Sequence, residues 1–335
     1  MKIAIVKLSA LGDIVHAMVA LQFIKARFPD SQIDWLVEAR FADLLQDNPH
    51  ISNILTVNLK AAKTHKFAIF NEIKTVKQYA QADYDLVIDA QGLLKSAIAA
   101  RFLGKNVAGF DKHSIRESLA SLFYKQKVSC AYDENTIDRN CAVLAEPLGF
   151  SISHTEILNK EPFLFFHEPN VDFSHFLQRN LKNVVFVIGS TWASRNYPAE
   201  KFVQVANALQ QNCLVIWGNE SEREAAEKMA VQSEFIRILP ALNLNDLKAL
   251  LSQVDLVIGN DTGPTHIAWG LNTPSITLFG CTPISRVYQT QINKVLKSSS
   301  IVNPRKLNKL DYSIKDIPPK EIVEMANTLL QLGTR

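Results

Sequence analysis

The segment Lys7-Leu8-Ser9-Ala10-Leu11-Gly12-Asp13-Ile14-Val15-His16 follows an apolar run and opens a helical pattern. In a parallel α/β sheet such a junction lies at the carboxyl edge, where these folds bind ligands. Gly12 permits close approach of backbone or ligand. Asp13 and His16 stand three apart and share a helix face. Asp13 suits two jobs: a helix cap, or a general base facing a cleft. His16 alone reads as a helix-face residue sooner than as a catalyst. A second segment, Gly259-Asn260-Asp261-Thr262-Gly263-Pro264-Thr265-His266, has the same setting. Backbone N–H groups at its helix start, exposed by Gly263, make an anion site suited to a diphosphate. Thr262 adds a hydroxyl, and His266 a donor one turn on. The plain alternative is an Asp/Thr cap on an ordinary helix.

Two further loops add weaker signals. Gly189-Ser190-Thr191-Trp192-Ala193-Ser194-Arg195-Asn196-Tyr197-Pro198 is rich in hydroxyls. Its Arg195 offers a bidentate, permanently charged fork to phosphate, although the loop alone reads equally well as solvated surface. In Trp217-Gly218-Asn219-Glu220-Ser221-Glu222-Arg223 a carboxylate such as Glu222 can accept ribose hydroxyls. Asp83-Tyr84-Asp85 spells the Asp-x-Asp of metal-dependent sugar transferases. It precedes a strand, so it reads as a solvated strand entry, and no metal is expected. Neither Gly-x-Gly-x-x-Gly nor Gly-x-x-x-x-Gly-Lys-Ser/Thr occurs, which argues against a nicotinamide dehydrogenase and a P-loop enzyme.

The elements that must carry these loops alternate. Apolar runs at Ile3–Val6, Ile33–Val37, Ile54–Val57, Leu86–Asp89, Val184–Ile188, Leu214–Trp217, Leu256–Ile258 and Ser275–Phe279 read as strands. Helical spacing fills Asp13–Phe28, Phe67–Ala80, Asn135–Leu148, Pro198–Gln211, Glu222–Gln232 and Asn245–Ser252. This is a βαβ rhythm around parallel sheets, interrupted between about Tyr132 and Asp172. Two Rossmann-like α/β/α domains facing across a cleft are expected, over residues 1–160 and 171–315. The terminal helix, within 316–335, is expected to return to the first domain.

At 335 residues, two domains suit the length. No segment is apolar enough to span a bilayer, and the N-terminus lacks a signal-peptide pattern. A cytoplasmic protein is expected. The four cysteines show no Cys-x-x-Cys spacing, so reduced thiols are expected. A net charge of +3 is too small to imply nucleic acid. Lys60, Lys63, Lys66, Lys74 and Lys77 nevertheless cluster, as do Arg101, Lys105, Lys112, Arg116, Lys125 and Lys127. The clusters suit an anionic substrate or an anionic membrane surface. Taken singly, each is a solvated side chain. From residues alone the reading stops at a nucleotide-diphosphate sugar.

Three motifs carry it further: Lys7-x-Ser9-x-x-Gly12-Asp13-x-x-His16, Asp89-Ala90-Gln91-Gly92-Leu93-x-Lys95-Ser96 and Asp261-Thr262-Gly263-x-x-His266. Together they resemble the bacterial ADP-heptose:lipopolysaccharide heptosyltransferases, glycosyltransferase family 9. Arg116-Glu117-x-Leu119-Ala120-Ser121-Leu122-Phe123-Tyr124 resembles the heptosyltransferase I branch. The resemblance implies a GT-B fold, an inverting transfer of heptose from ADP-heptose to Kdo of Kdo-lipid A, no metal, and peripheral contact with the inner membrane. It implies that Asp13 is the base. Ser190, Thr191, Arg195, Thr262, Gly263 and His266 then contact the donor's diphosphate and heptose. Glu222 and Leu242 lie beside adenosine, and Asp261 holds heptose hydroxyls. Ser9, Gly12, His16, Lys60, Lys63, Lys95, Arg116 and Arg139 are the acceptor-side candidates. The chain departs from the family pattern in Ser190 for Thr, Arg195 for Lys and Leu242 for Met. A heptosyltransferase II-type enzyme, a sugar-nucleotide epimerase and a non-catalytic ADP-sugar sensor are the rival readings.

Overall fold

The computed structural model describes residues 1–59 and 66–332, and only the backbone from 66 to 69. The chain divides into two compact units, Met1–Phe165 and Phe166–Arg335. In the first, β1 (Lys2–Val6) leads to α1 (Leu11–Met18) and α2 (Ala20–Arg27). Then follow β2 (Gln32–Glu38), α3 (Ala42–Leu45), β3 (Asn53–Val57), α4 (Lys66–Tyr79), β4 (Leu86–Asp89), α5 (Leu94–Leu103), β5 (Val107–Phe110), β6 (Gln126–Val128), α6 (Thr136–Ala145) and α7 (His154–Leu158). The second contains β7 (Asn183–Val187), α8 (Ala199–Leu209), β8 (Asn212–Ile216), α9 (Glu220–Gln232), β9 (Ile236–Ile238), α10 (Leu244–Leu251) and β10 (Leu256–Asn260). It ends with α11 (Gly263–Gly270), β11 (Ser275–Phe279), β12 (Asn293–Lys297) and α12 (Pro319–Leu332).

Both sheets are parallel and wound alike. The first has the order β3-β2-β1-β4-β5-β6 and the second β12-β11-β10-β7-β8-β9. Each chain half starts in the middle, builds outward, then crosses back to the other side. That creates one switch point per unit, between β1 and β4 and between β7 and β10, with Val6 level with Asp89 and Gly259 level with Val187. Loops there diverge to opposite faces and leave room for ligands.

Burial explains why these runs form strands. Ile3, Ala4, Ile5 and Val6 are wholly buried because helices cover both faces of a central parallel strand. The edge strand β12, Asn293-Lys294-Val295-Leu296-Lys297, meets solvent and mixes lysine with apolar residues. Asp83-Tyr84-Asp85 is indeed a strand entry: Asp85 Oδ2 accepts the Lys2 N–H at 2.7 Å, and the Tyr84 hydroxyl donates to Asp34 Oδ2 at 2.7 Å.

The terminal helix α12 lies in the second unit. Ile322, Ala326, Leu329 and Leu330 join that unit's core with Phe186, Phe202 and Leu278. Each large side chain so buried contributes about 1.5–3 kcal/mol. All four cysteines are free thiols. Among the described residues, no helix is long and apolar enough to cross a membrane.

Lys160 is a buried titrating group in the first unit. Burial lowers its ammonium to about 7 from 10.5, against an upward pull from Glu161. Its Nζ lies 5.3 Å from the centre of the Phe163 ring. Between about 7 and 10.5 the unfolded chain holds a proton the folded chain has lost. Stability from this residue therefore rises with pH across that window and is flat below it. Lys160→Met is expected to flatten the slope in urea titrations between those limits; an unaltered slope would refute the assignment.

Candidate active site

At the first switch point the loop after β1 is fixed from several sides. The Trp35 indole N–H donates to the Lys7 carbonyl at 3.2 Å. The buried Lys7 ammonium donates to the Ala90 carbonyl at 2.7 Å and to Asn140 Oδ1 at 3.0 Å. The Leu8 and Ser9 N–H groups both donate to Gln91 Oε1, at 3.0 and 3.1 Å. The half-buried Asp13 sits in the first turn of α1, where its Oδ2 accepts the Ala10 N–H at 3.2 Å. Ala10, not Asp13, stands at the N-cap position, and Asp13 reaches back to its N–H from the third helical position.

Beneath this loop lies Asp89, wholly buried at the end of β4. Its carboxylate accepts from Gln91 N–H (2.9 Å), Gly92 N–H (3.2 Å), the Ser96 hydroxyl (2.8 Å) and the Tyr124 hydroxyl (2.7 Å). Burial pushes its carboxyl above the usual range, although all four donors pull the other way. Gly92 turns at φ +69°, and a Cβ there would come 2.7 Å from Ile115, so the turn needs glycine.

The second switch point is built around Asp261, 1% exposed at the end of β10. Its Oδ2 lies 2.9 Å from Arg195 Nη2 and 3.5 Å from Arg286 Nε; its Oδ1 lies 3.1 Å from His266 Nε2. Burial alone would raise this carboxyl. Arg286, His266 and Arg195 together outweigh it and hold the group well below the carboxylate range. Asn260 clamps the facing loop, accepting the Tyr197 N–H at 2.9 Å and donating to the Ile188 carbonyl at 2.8 Å. α11 starts beside it with Thr262 at the N-cap position and no side-chain cap bond.

Around this centre, the Ser190 hydroxyl lies 2.8 Å from the Trp192 carbonyl and 2.6 Å from Asn196 Oδ1. Thr191 is exposed. The Trp192 ring is flanked by Arg195 at 5.5 Å and Lys309 at 4.6 Å. Glu222 accepts from Gly218 N–H at 2.8 Å and from the Asn219 amide at 2.7 Å. Its carboxylate lies over Gly189, where a Cβ would come within 2.0 Å of it. Leu242 is half-buried between β9 and α10. Chemically, a permanently charged fork beside a helix N-terminus is equipped to hold a diphosphate.

Residues 73–311 match the family model for glycosyltransferase family 9 (heptosyltransferase). The chain is similar to lipopolysaccharide heptosyltransferase 1 of Campylobacter coli, 35% identical over 98% of this chain and 99% of that one. The chain belongs to glycosyltransferase family 9. Among solved structures, E. coli heptosyltransferase WaaC with ADP is similar at a TM-score of 0.80 and 25% identity, over 98% of this chain and 100% of that one. WaaC with ADP-2-deoxy-2-fluoro heptose gives a TM-score of 0.78, also at 25% identity and over 98% of this chain and 99% of that one. The protein is a glycosyltransferase of GT-B fold.

Within this family 9 enzyme the expected site residues separate. Ser9, Gly12 and Asp13 gather at the first switch point. Ser190, Thr191, Arg195, Asp261, Thr262, Gly263 and His266 gather at the second. His16 is wholly buried in α1. Arg139 donates to the Tyr132 carbonyl at 2.7 Å and to the Ser114 carbonyl, and so holds its own loop in place. Asp261 is paired with two guanidiniums and an imidazole, and its Oδ2 accepts no hydrogen bond from either Arg195 or Arg286. Lys95 and Arg116 are exposed. Lys60 and Lys63 lie outside the described residues. Sequence reading missed Arg286. The register of β10 with β11, Asn260 level with Leu278, brings the loop after β11 beside Asp261, and local spacing in the sequence carries no sign of it.

Proposed function

We propose that this enzyme transfers a heptose from ADP-heptose to Kdo of a Kdo-lipid A acceptor, with inversion and without a metal ion. The observation that carries the reading is the Arg195–Asp261–His266 cluster at the start of α11, taken with the likeness to WaaC. Asp13 takes the proton from an acceptor hydroxyl as that oxygen attacks the anomeric carbon. The bond from that carbon to the ADP oxygen breaks on the opposite face, and ADP leaves with the electron pair. A carboxylate base on the acceptor side suffices for a single displacement. Arg195, His266 and the N-terminus of α11 stabilise the charge growing on the diphosphate.

Lys95 and Arg116 are the remaining described candidates for acidic Kdo and lipid A phosphates. Contact with the cytoplasmic face of the inner membrane is supported by Leu119 and Leu122, 63% and 74% exposed beside these cations. Exposed leucines flanked by basic groups suit an anionic lipid surface.

Glu222 is assigned to the adenosine ribose. Gly189→Ala is expected to displace only the flexible end of Glu222, because the clash involves its carboxylate. ADP affinity should fall about tenfold with little change in melting temperature. Unchanged ADP affinity by calorimetry would remove Glu222 from the donor site. The reaction itself is tested by ADP release from ADP-heptose with and without Kdo-lipid A. Release that depends on acceptor is expected. Release or conversion of the donor without acceptor would overturn the reading, and a requirement for an acceptor already carrying heptose would move the enzyme to the heptosyltransferase II type.

A further inference from the structure

The Asp89-Ala90-Gln91-Gly92 segment has no part in the mechanism above, yet its side chains reach the loop that bears the base. We propose that Gln91 is a positioning residue for Asp13; this rests on the assignment of Asp13 as base. The argument is a chain of contacts. Val6 and Asp89 are level on β1 and β4, and the Ala90 N–H donates to the Val6 carbonyl at 3.1 Å. From there Gln91 crosses to the other loop. Its Oε1 accepts two successive N–H groups, Leu8 at 3.0 Å and Ser9 at 3.1 Å. The next N–H but one in the chain after Leu8, that of Ala10, is the one bonded to Asp13 Oδ2 at 3.2 Å.

Gln91 can do this because its own backbone is held. Its N–H donates to the buried Asp89 carboxylate at 2.9 Å, and that carboxylate is oriented by Ser96 and Tyr124. A side-chain oxygen at this position takes two N–H donors at once. The two loops meet through residues 83 positions apart. Gln91 thus sets where the start of α1, and with it the Asp13 carboxylate, stands relative to the sheet edge. Misplacement of a reacting group by about 1 Å is enough to cost about a hundredfold in rate.

The test uses the full chain. Gln91→Leu removes the acceptor oxygen at similar volume. It is expected to lower kcat about a hundredfold while ADP affinity by calorimetry stays within error. The double variant with Asp13→Asn should be little slower than Asp13→Asn alone, because both changes act through one carboxylate. Gln91→Glu keeps an oxygen for the Leu8 and Ser9 N–H groups and is expected to recover most of the lost kcat. It also serves if Gln91→Leu does not fold. Three results would overturn the inference: a Gln91→Leu kcat within a few-fold of wild type, multiplicative losses in the double variant, or Gln91→Glu as slow as Gln91→Leu. If Asp13→Asn alone turns over normally, the base assignment fails and this inference falls with it. An inactive Asp13→Asn beside an active Gln91→Leu sinks the inference alone.

Discussion

Asp13→Asn is expected to lower the rate of heptose transfer by about 10²–10⁴-fold, the usual contribution of a positioned general base. The substitution separates the two jobs that the residue type allows. Asparagine keeps a side-chain oxygen for the Ala10 N–H, now 3.2 Å from Asp13 Oδ2, and loses the carboxylate charge, worth about 0.3–1 kcal/mol in a first helical turn. Melting temperature should therefore fall only slightly, and ADP affinity should stay at the wild-type value. Basicity is the large loss. The measurement is steady-state transfer to Kdo-lipid A, with calorimetry of ADP on the same sample. Near-normal turnover would reduce Asp13 to a cap. Loss of both melting temperature and activity would point to folding.

The second large effect is expected at Arg195. Arg195→Ala removes a guanidinium that is 13% exposed and 2.9 Å from Asp261. Turnover should fall about 10²–10³-fold, as when one fixed donor to a developing anion is lost, and ADP should bind more weakly. Stability should fall too, because Asp261 is left with Arg286 and His266. A fully orphaned buried charge costs about 3–5 kcal/mol; two remaining partners keep the loss below that. Arg195→Lys should lie between, retaining charge but losing the bidentate fork. The checks are kcat, ADP calorimetry and thermal melting of both variants. If Arg195→Ala binds ADP and turns over normally, the cluster is structural only.

Much of the framework was legible in the sequence, and the exceptions have physical causes. Central strands such as Ile3–Val6 and Leu256–Ile258 are covered on both faces, so they announce themselves as unbroken apolar runs. β6 and β9 are three residues long and β12 carries two lysines; such edge strands have little burial to write into their composition. The loops at Asp13, Arg195 and Asp261 were visible because small, polar and charged residues concentrate where strand meets helix. The contacts between loops were not. Gln91 with Ser9, and Arg286 with Asp261, depend on which strands lie side by side, and local spacing does not encode that. His16 shows the opposite limit: helical spacing placed it level with Asp13 but could not tell that its ring points inward.

The two units also repeat one construction. In each, the loops after the first and fourth strands of the winding hold the polar groups, and in each an aspartate at the fourth strand anchors them: Asp89 among uncharged donors, Asp261 among cations. Each unit has its own apolar core. One winding, used twice, thus carries two unlike sets of loop side chains on two separate cores. On the proposed assignment, descent can retune the donor loops of one unit while the core beneath the base stays as it is.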